Sequence, residues 1–266
     1  MKTGMAKVNG TTLYYEVKGK GHPLVFISGG GTLDSRMWDE QFDFFAERYQ
    51  VICYDIRGLG KSGKTESPFS HSQDLYALLK HLGIRKAHIA GVSFAGAIAI
   101  DFALEHPNMA ASLILASTGT SSDSKSEANL QSVLALAAMA KREGLEKTIQ
   151  TIIDLPFFIS KENFQAREKM RRVYFDNRHV FENEFPLIRF WQPAQPPAAE
   201  RLSEIRVPAL IIMGDQDHLS FKAITDNLHA GISGSKKVVI PGGAHIINMD
   251  RPKEFNQAVL DFLNRV

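Results

Sequence analysis

Three kinds of side chain in this sequence stand where they could act together on a carbonyl carbon. Ser93 lies in His88-Ile-Ala-Gly-Val-Ser-Phe-Ala-Gly96, between an apolar run and a stretch of small residues. Asp215 and Asp217 follow the apolar run Ala209–Met213, and His245 follows Lys237–Ile240 through Pro-Gly-Gly-Ala. A serine hydroxyl is a weak nucleophile at neutral pH. An imidazole can take its proton, and a carboxylate can hold that imidazole in the right tautomer. Each residue has a plainer reading: a helix-start serine, a turn-forming aspartate pair, a loop histidine. All three at the ends of apolar runs make the chemical reading the stronger one.

Other chemistries fit less well. Gly60-Lys61-Ser62 suggests a phosphate-binding loop, but the glycine that motif needs five positions earlier is Asp55, whose carboxylate would repel phosphate. Gly29-x-Gly31 lacks the third glycine of a dinucleotide site, since Asp34 stands there. No histidines pair at helical or hairpin spacing, so no metal site is expected, and His71, His81 and His88 read as surface or core residues. Cys53, in Val-Ile-Cys-Tyr, reads as a buried core residue; a lone cysteine cannot close an intramolecular disulfide.

The elements that must position these residues alternate. A hairpin, Ala6–Val8 with Leu13–Val17, is expected through Asn9-Gly10. Strands are expected at Leu24–Ser28, Val51–Asp55, Ala87–Gly91, Leu113–Leu115, Ala209–Met213 and Lys237–Ile240. These are continuous apolar runs, as in parallel strands buried on both faces. Helices are expected at Ser72–His81, Phe94–Glu105, Phe221–Leu228 and Pro252–Asn264. The second is apolar nearly all round and belongs in the middle of the structure; the last opens on Pro252, with Phe255, Val259 and Phe262 at helical spacing. The alternation predicts an α/β fold with a doubly wound, mostly parallel sheet.

Residues 119–200 break this alternation. They show helical patterns only, entered through Ser121-Ser-Asp-Ser-Lys-Ser126 and left through Gln192-Pro-Ala-Gln-Pro-Pro197. The expectation is a helical cap inserted over the C-terminal edge of the sheet, with residues 1–118 and 201–266 as one core. Within it Phe157, Phe158, Met139, Phe190 and Trp191 are candidates to line an apolar pocket, and Glu182, Glu184 and Arg171-Arg172 read as a solvated face.

Composition bounds the partners. Across 266 residues, 44% are apolar and 23% charged, with a net charge of +2, which fits a folded globular chain and gives no basic surface for nucleic acid. The N-terminal Met-Lys-Thr-Gly-Met-Ala-Lys-Val lacks the apolar stretch of a signal peptide. No window approaches the ~18 apolar residues of a membrane span. The expected location is the cytoplasm, and no membrane partner is expected.

The segment around Ser93 resembles the nucleophile elbow of the α/β-hydrolase superfamily, with Ala95 in place of the usual second glycine. Asp55-Ile-Arg-Gly-Leu-Gly-Lys-Ser62 is similar to that superfamily's Asp-x-Arg-Gly-x-Gly-x-Ser structural turn. The resemblance implies the chain order serine, acid, histidine, and a Gly-x-x-Asp turn places the acid at Asp217 rather than Asp215. It also implies an oxyanion hole from the N–H of Phe94 and a second N–H in the loop after Phe26-Ile, with Gly30 preferred and Gly31 the neighbour choice. Ser28-Gly29 stands there in place of the His-Gly of many relatives.

What the resemblance implies is a serine hydrolase, an esterase- or lactonase-like enzyme without a cofactor, cleaving a small ester, thioester or lactone. Two alternatives remain: carbon–carbon bond hydrolysis or cofactor-free perhydrolysis with the same residues, and a ligand-binding or signalling protein on the same scaffold.

Overall fold

The computed structural model describes residues 1–29, 31–64, 67–182 and 190–266. The strands are β1 (Lys2–Val8), β2 (Thr11–Lys18), β3 (Pro23–Ile27), β4 (Gln50–Tyr54), β5 (Ala87–Val92), β6 (Ala110–Ala116), β7 (Ala209–Gly214) and β8 (Lys236–Ile240). They form one sheet in the order β1-β2-β4-β3-β5-β6-β7-β8. β1 and β2 are a hairpin whose turn residues Asn9 and Gly10 both have positive φ, 46° and 70°; asparagine and glycine tolerate this conformation best. β2 meets β4 antiparallel, and every later pairing is parallel.

The strands are apolar throughout because both faces are covered. Val25, Ile27, Ile52, Tyr54, Ile89, Leu113, Leu115 and Ile211 pack into one core. The alternate residues Leu24, Phe26, Val51, Cys53, Ala90, Val92, Ile114, Ala116, Leu210 and Ile212 pack into the other. Burial pushes the Cys53 thiol well up, which keeps it from ionising.

The helices are α1 (Asp39–Phe45), α2 (His71–His81), α3 (Phe94–Glu105), α4 (Ser121–Ser124), α5 (Glu127–Glu143), α6 (Leu145–Asp154), α7 (Phe164–Asp176), α8 (His179–Glu182), α9 (Leu219–Gly231), α10 (Ile247–Asp250) and α11 (Pro252–Leu263). Leu75, Leu78 and Leu79 of α2, Ile98 and Phe102 of α3, and Leu228 of α9 cover the first face. Phe42 and Phe45 of α1, with Phe255, Val259 and Phe262 of α11, cover the second. α3 is buried from Ala95 to Leu104, as an all-round apolar helix requires.

The predicted strands and helices all form, with ends displaced by a few residues. β6 is longer than expected, because Ala110-Ala-Ser112 pairs before the apolar run begins. The 3₁₀ turn Ser35–Trp38 and α1 were not expected. Asp34 caps that turn by accepting the Arg36 N–H, and Met37, Trp38, Phe42 and Phe45 supply its buried face.

Between β6 and β7 the regular elements of the described chain are helices, apart from an isolated bridge joining Trp191 to Phe69. This segment shares the second core through Ile149, Ile152, Met170 and Val173. It also touches chain beyond the ends of β3 and β8, where Asn177 meets Thr32 and Phe157 meets His245. Arg171 is half-buried and Arg172 exposed; Glu184 and the Glu182 side chain lie outside the described residues. Among the described residues no helix is long and apolar enough to cross a membrane.

Candidate active site

Ser93 links β5 to α3 in a turn with almost no room. Its φ is 55° and ψ −126°, a backbone state that a residue with a Cβ adopts only under constraint. The constraint comes from neighbours. The Ser93 N–H donates to Ala116 O (2.9 Å), while the Thr118 hydroxyl (2.6 Å) and the Gly96 N–H (2.9 Å) donate to Ser93 O. A Cβ on Gly91 would strike the Ala95 backbone carbonyl, and one on Gly96 would strike Thr118. The glycines at these two positions are therefore steric requirements. At position 95 a methyl group fits and is buried.

The structure brings Ser93, His245 and Asp217 into one hydrogen-bonded chain. Ser93 Oγ lies 2.8 Å from His245 Nε2. His245 Nδ1 lies 3.0 and 3.1 Å from the two carboxylate oxygens of Asp217. A carboxylate only accepts, so Nδ1 carries the proton and Nε2 is left to accept from the serine hydroxyl. The His245 and Asp217 side chains are 2% and 0% exposed. Asp217 Oδ1 also accepts the His218 N–H at 2.7 Å. Asp215 is occupied elsewhere, its Oδ1 accepting the Gly242 N–H at 2.7 Å.

The loop bearing His245 is pinned from the helical segment. The N–H groups of His245 and Ile246 donate to the carbonyls of Phe157 and Phe158, at 2.7 and 2.9 Å. The imidazole is flanked by the rings of Phe221 (centroids 4.1 Å apart), Phe158 (5.6 Å) and Phe157 (6.4 Å). Of the pocket candidates, Phe157 and Phe158 therefore stand beside the histidine. Trp191 packs edge-on against Phe94 at 4.9 Å, with Phe190 in the same cluster. Met139 is half-buried on α5.

Phe94 heads α3, where its N–H has no carbonyl four residues earlier in the helix to bond. Gly30, the other oxyanion candidate, lies outside the described residues. Its neighbours Gly29 and Gly31 have φ of 117° and 70°, which glycine adopts without strain. A Cβ on Gly29 would lie 3.6 Å from the Phe94 ring, so the loop after β3 adjoins the head of α3.

The Asp55–Ser62 turn acts as a support. Asp55 accepts the N–H groups of Ser35 and Lys61, and Ser62 donates to Asp55 O. Arg57 makes a buried two-point contact with Asp74. Among the described residues no three potential metal ligands gather. Thr118 and Phe221 were not anticipated as parts of the site. Phe221 carried a usable signal, lying four residues after Asp217 at the start of a predicted helix; Thr118 carried none, because its contact depends on β6 lying beside β5.

Residues 22–252 match the family model described as alpha/beta hydrolase fold, and the chain belongs to that family. It is 28% identical over 255 residues to 3-oxoadipate enol-lactonase 2 of Acinetobacter baylyi, covering 91% of this chain and 88% of that one. It is 29% identical over 275 residues to the 2-hydroxy-6-oxononadienedioate/2-hydroxy-6-oxononatrienedioate hydrolase of Burkholderia vietnamiensis, covering 97% and 93%. A malate-bound thermophilic esterase from Thermogutta terrifontis shares the fold at a TM-score of 0.82 and 24% identity, covering 100% of this chain and 99% of the other.

Proposed function

We propose that the protein is a serine hydrolase that opens a small carboxylic ester, thioester or lactone through an acyl-enzyme on Ser93. The observation that carries this reading is the unbroken chain from Ser93 Oγ through His245 to Asp217, with the serine held at positive φ. In this reading His245 Nε2 takes the serine proton as Oγ attacks the carbonyl carbon, and then gives it to the departing oxygen or sulfur. Asp217 holds the ring and stabilises its cation. The Phe94 N–H and an N–H of the loop after β3, at Gly30 or Gly31, receive the oxyanion. Water, activated by His245, then clears the acyl group.

Residues 119–200 act as a cap in this proposal, with residues 1–118 and 201–266 as the hydrolase core. Phe157, Phe158 and Trp191 form apolar walls for a small-molecule substrate, and no cofactor takes part. The enol-lactonase relative supports an ester-like carbonyl substrate. A second reading draws on the Burkholderia vietnamiensis hydrolase: cleavage of a carbon–carbon bond in a dienoate-type ketone by the same three residues.

Ser93→Ala is expected to cut p-nitrophenyl acetate or butyrate turnover at least a thousandfold or so, with the unfolding midpoint retained. A fluorophosphonate should label Ser93 and no other residue. Undiminished turnover in the variant, or an unlabelled Ser93, would sink the proposal. Comparing esters with vinylogous 1,5-diketones decides between the two substrate classes.

A further inference from the structure

The C-terminal end of α7 carries side chains that reach into two loops of the core. Asn177, 1% exposed, donates from Nδ2 to the Thr32 carbonyl (3.0 Å) and to Asp34 Oδ2 (2.9 Å). Its Oδ1 accepts the Gly60 N–H at 2.8 Å. Both amide hydrogens and the amide oxygen are thus used, and the partners lie more than a hundred residues away in sequence. Tyr174, one turn earlier and 3% exposed, lies over Gly31, where a Cβ would sit 2.5 Å from the Tyr174 hydroxyl oxygen. Burial pushes its ionisation up to about 12, so the phenol stays neutral. His179 Nε2 lies 2.9 Å from Gly58 O, and Arg36 joins Asp34 to Asp176 at the exposed rim.

Asn177 and Tyr174 therefore bear on residues 31–34, the described part of the loop that follows Gly30. Gly29 and Gly31, at φ of 117° and 70°, lie where backbone without a Cβ is least constrained by its own side chains. Holding such backbone in one conformation costs entropy that contacts from outside the loop must offset. An oxyanion donor is effective only when its N–H is already aimed before charge develops. The Thr32 carbonyl is held by the Asn177 side chain, and Gly31 lies beneath the Tyr174 hydroxyl.

We infer that Asn177, with Tyr174, is a positioning residue for the oxyanion loop, so that seating the end of α7 on the core and completing the oxyanion hole are one event. The inference rests on the Ser93 reading above. It goes beyond that reading by giving the helical segment a part in transition-state stabilisation as well as in walling the pocket. Asn177 touches no reacting atom and acts through the loop.

The test compares an aryl trifluoromethyl ketone, whose Ser93 adduct carries an oxyanion, with the corresponding methyl ketone, which binds without forming one. In Asn177→Ala, kcat/KM and trifluoromethyl ketone affinity should fall together by roughly 10- to 100-fold, with methyl ketone affinity within about twofold of the parent. Tyr174→Phe, which keeps the packing, should show the same split to a smaller degree, and it is the variant to read if Asn177→Ala does not fold. Asp176→Asn removes only the negative charge from the exposed contact to Arg36 and should leave all three quantities unchanged. Equal losses for both ketones, no loss for either, or an equal split in Asp176→Asn would each overturn the inference. A parent protein left unlabelled at Ser93 by fluorophosphonate would instead overturn the functional reading on which it rests.

Discussion

His245 has its Nδ1 within hydrogen-bonding distance of both Asp217 oxygens, while Asp215, two residues away, faces the Gly242 amide. The two aspartates look alike in the sequence, and resemblance alone chose between them there. In space they separate because Gly214 to Asp217 form a tight turn, with the Asp217 N–H donating to Gly214 O at 3.3 Å. Asp217→Asn can supply an N–H where the imidazole needs an acceptor, favouring the wrong tautomer. It is expected to lower kcat by on the order of a thousandfold or more. Asp215→Asn keeps an Oδ1 that can accept the Gly242 N–H, in a contact remote from the imidazole, and is expected to stay within about tenfold of the parent. Steady-state rates on one p-nitrophenyl ester check both, and similar losses in the two variants would contradict the assignment.

The β5–α3 unit shows what an element must do to hold one strained residue. Ten buried positions along α3 keep the helix against the sheet, and contacts from the end of β6 and from Thr118 just beyond it fix both backbone groups of Ser93. Gly91 is where this arrangement has least tolerance, since a methyl group there would meet the Ala95 carbonyl. Gly91→Ala should reopen the turn and cost about 1–3 kcal/mol by overpacking, with a larger proportional loss of fluorophosphonate labelling. Ala95→Gly should keep both labelling and fold, losing about 0.5–1 kcal/mol through chain entropy. Urea unfolding and labelling rates together test the pair; a fully reactive Gly91→Ala protein would show that the turn does not need the missing side chain. The elbow was legible in the sequence because small residues at fixed offsets are a local demand. Thr118 was not, because its partner is 25 residues away and set by strand order.

At the scale of the molecule, burial makes some polar groups pH-sensitive. His71 is 1% exposed, and among the described residues neither ring nitrogen has a hydrogen-bond partner. It stands edge-on between the rings of Phe69 and Phe94, at 4.7 and 5.5 Å. Burial, aided by the charge of Arg57, lowers its pKa from 6.5 to about 3. His88 is similarly lowered, to about 4. Unfolded chains take up these protons below pH 6.5 and the native protein does not, so each histidine's contribution falls as pH drops towards its folded pKa. Asp101, raised by burial from 3.8 to about 6, acts oppositely: the native state holds an extra proton between those values. His71→Phe removes one component alone. It should be at least as stable as the parent at pH 7, and its advantage should grow by ~2–3 kcal/mol at pH 4.5. Urea unfolding at the two pH values measures this, and a constant difference would show that His71 is protonated in the native state.

By itself the sequence determined the sheet-centred core, the strand ends that bear Ser93 and His245, and the steric rule of the elbow. These follow from local periodicity and residue size: strands buried on two faces read as unbroken apolar runs, and a sharp turn declares itself in small side chains. The tertiary structure alone decided the rest. It put Asp217, and not Asp215, on the imidazole, set Phe221 against it, and buried His71 between the rings of Phe69 and Phe94. It also brought Asn177 across more than a hundred residues to the loops at Thr32 and Gly60. Those outcomes depend on which surfaces meet when helices close on a sheet, and single polar side chains at long separation leave no periodic trace of such meetings.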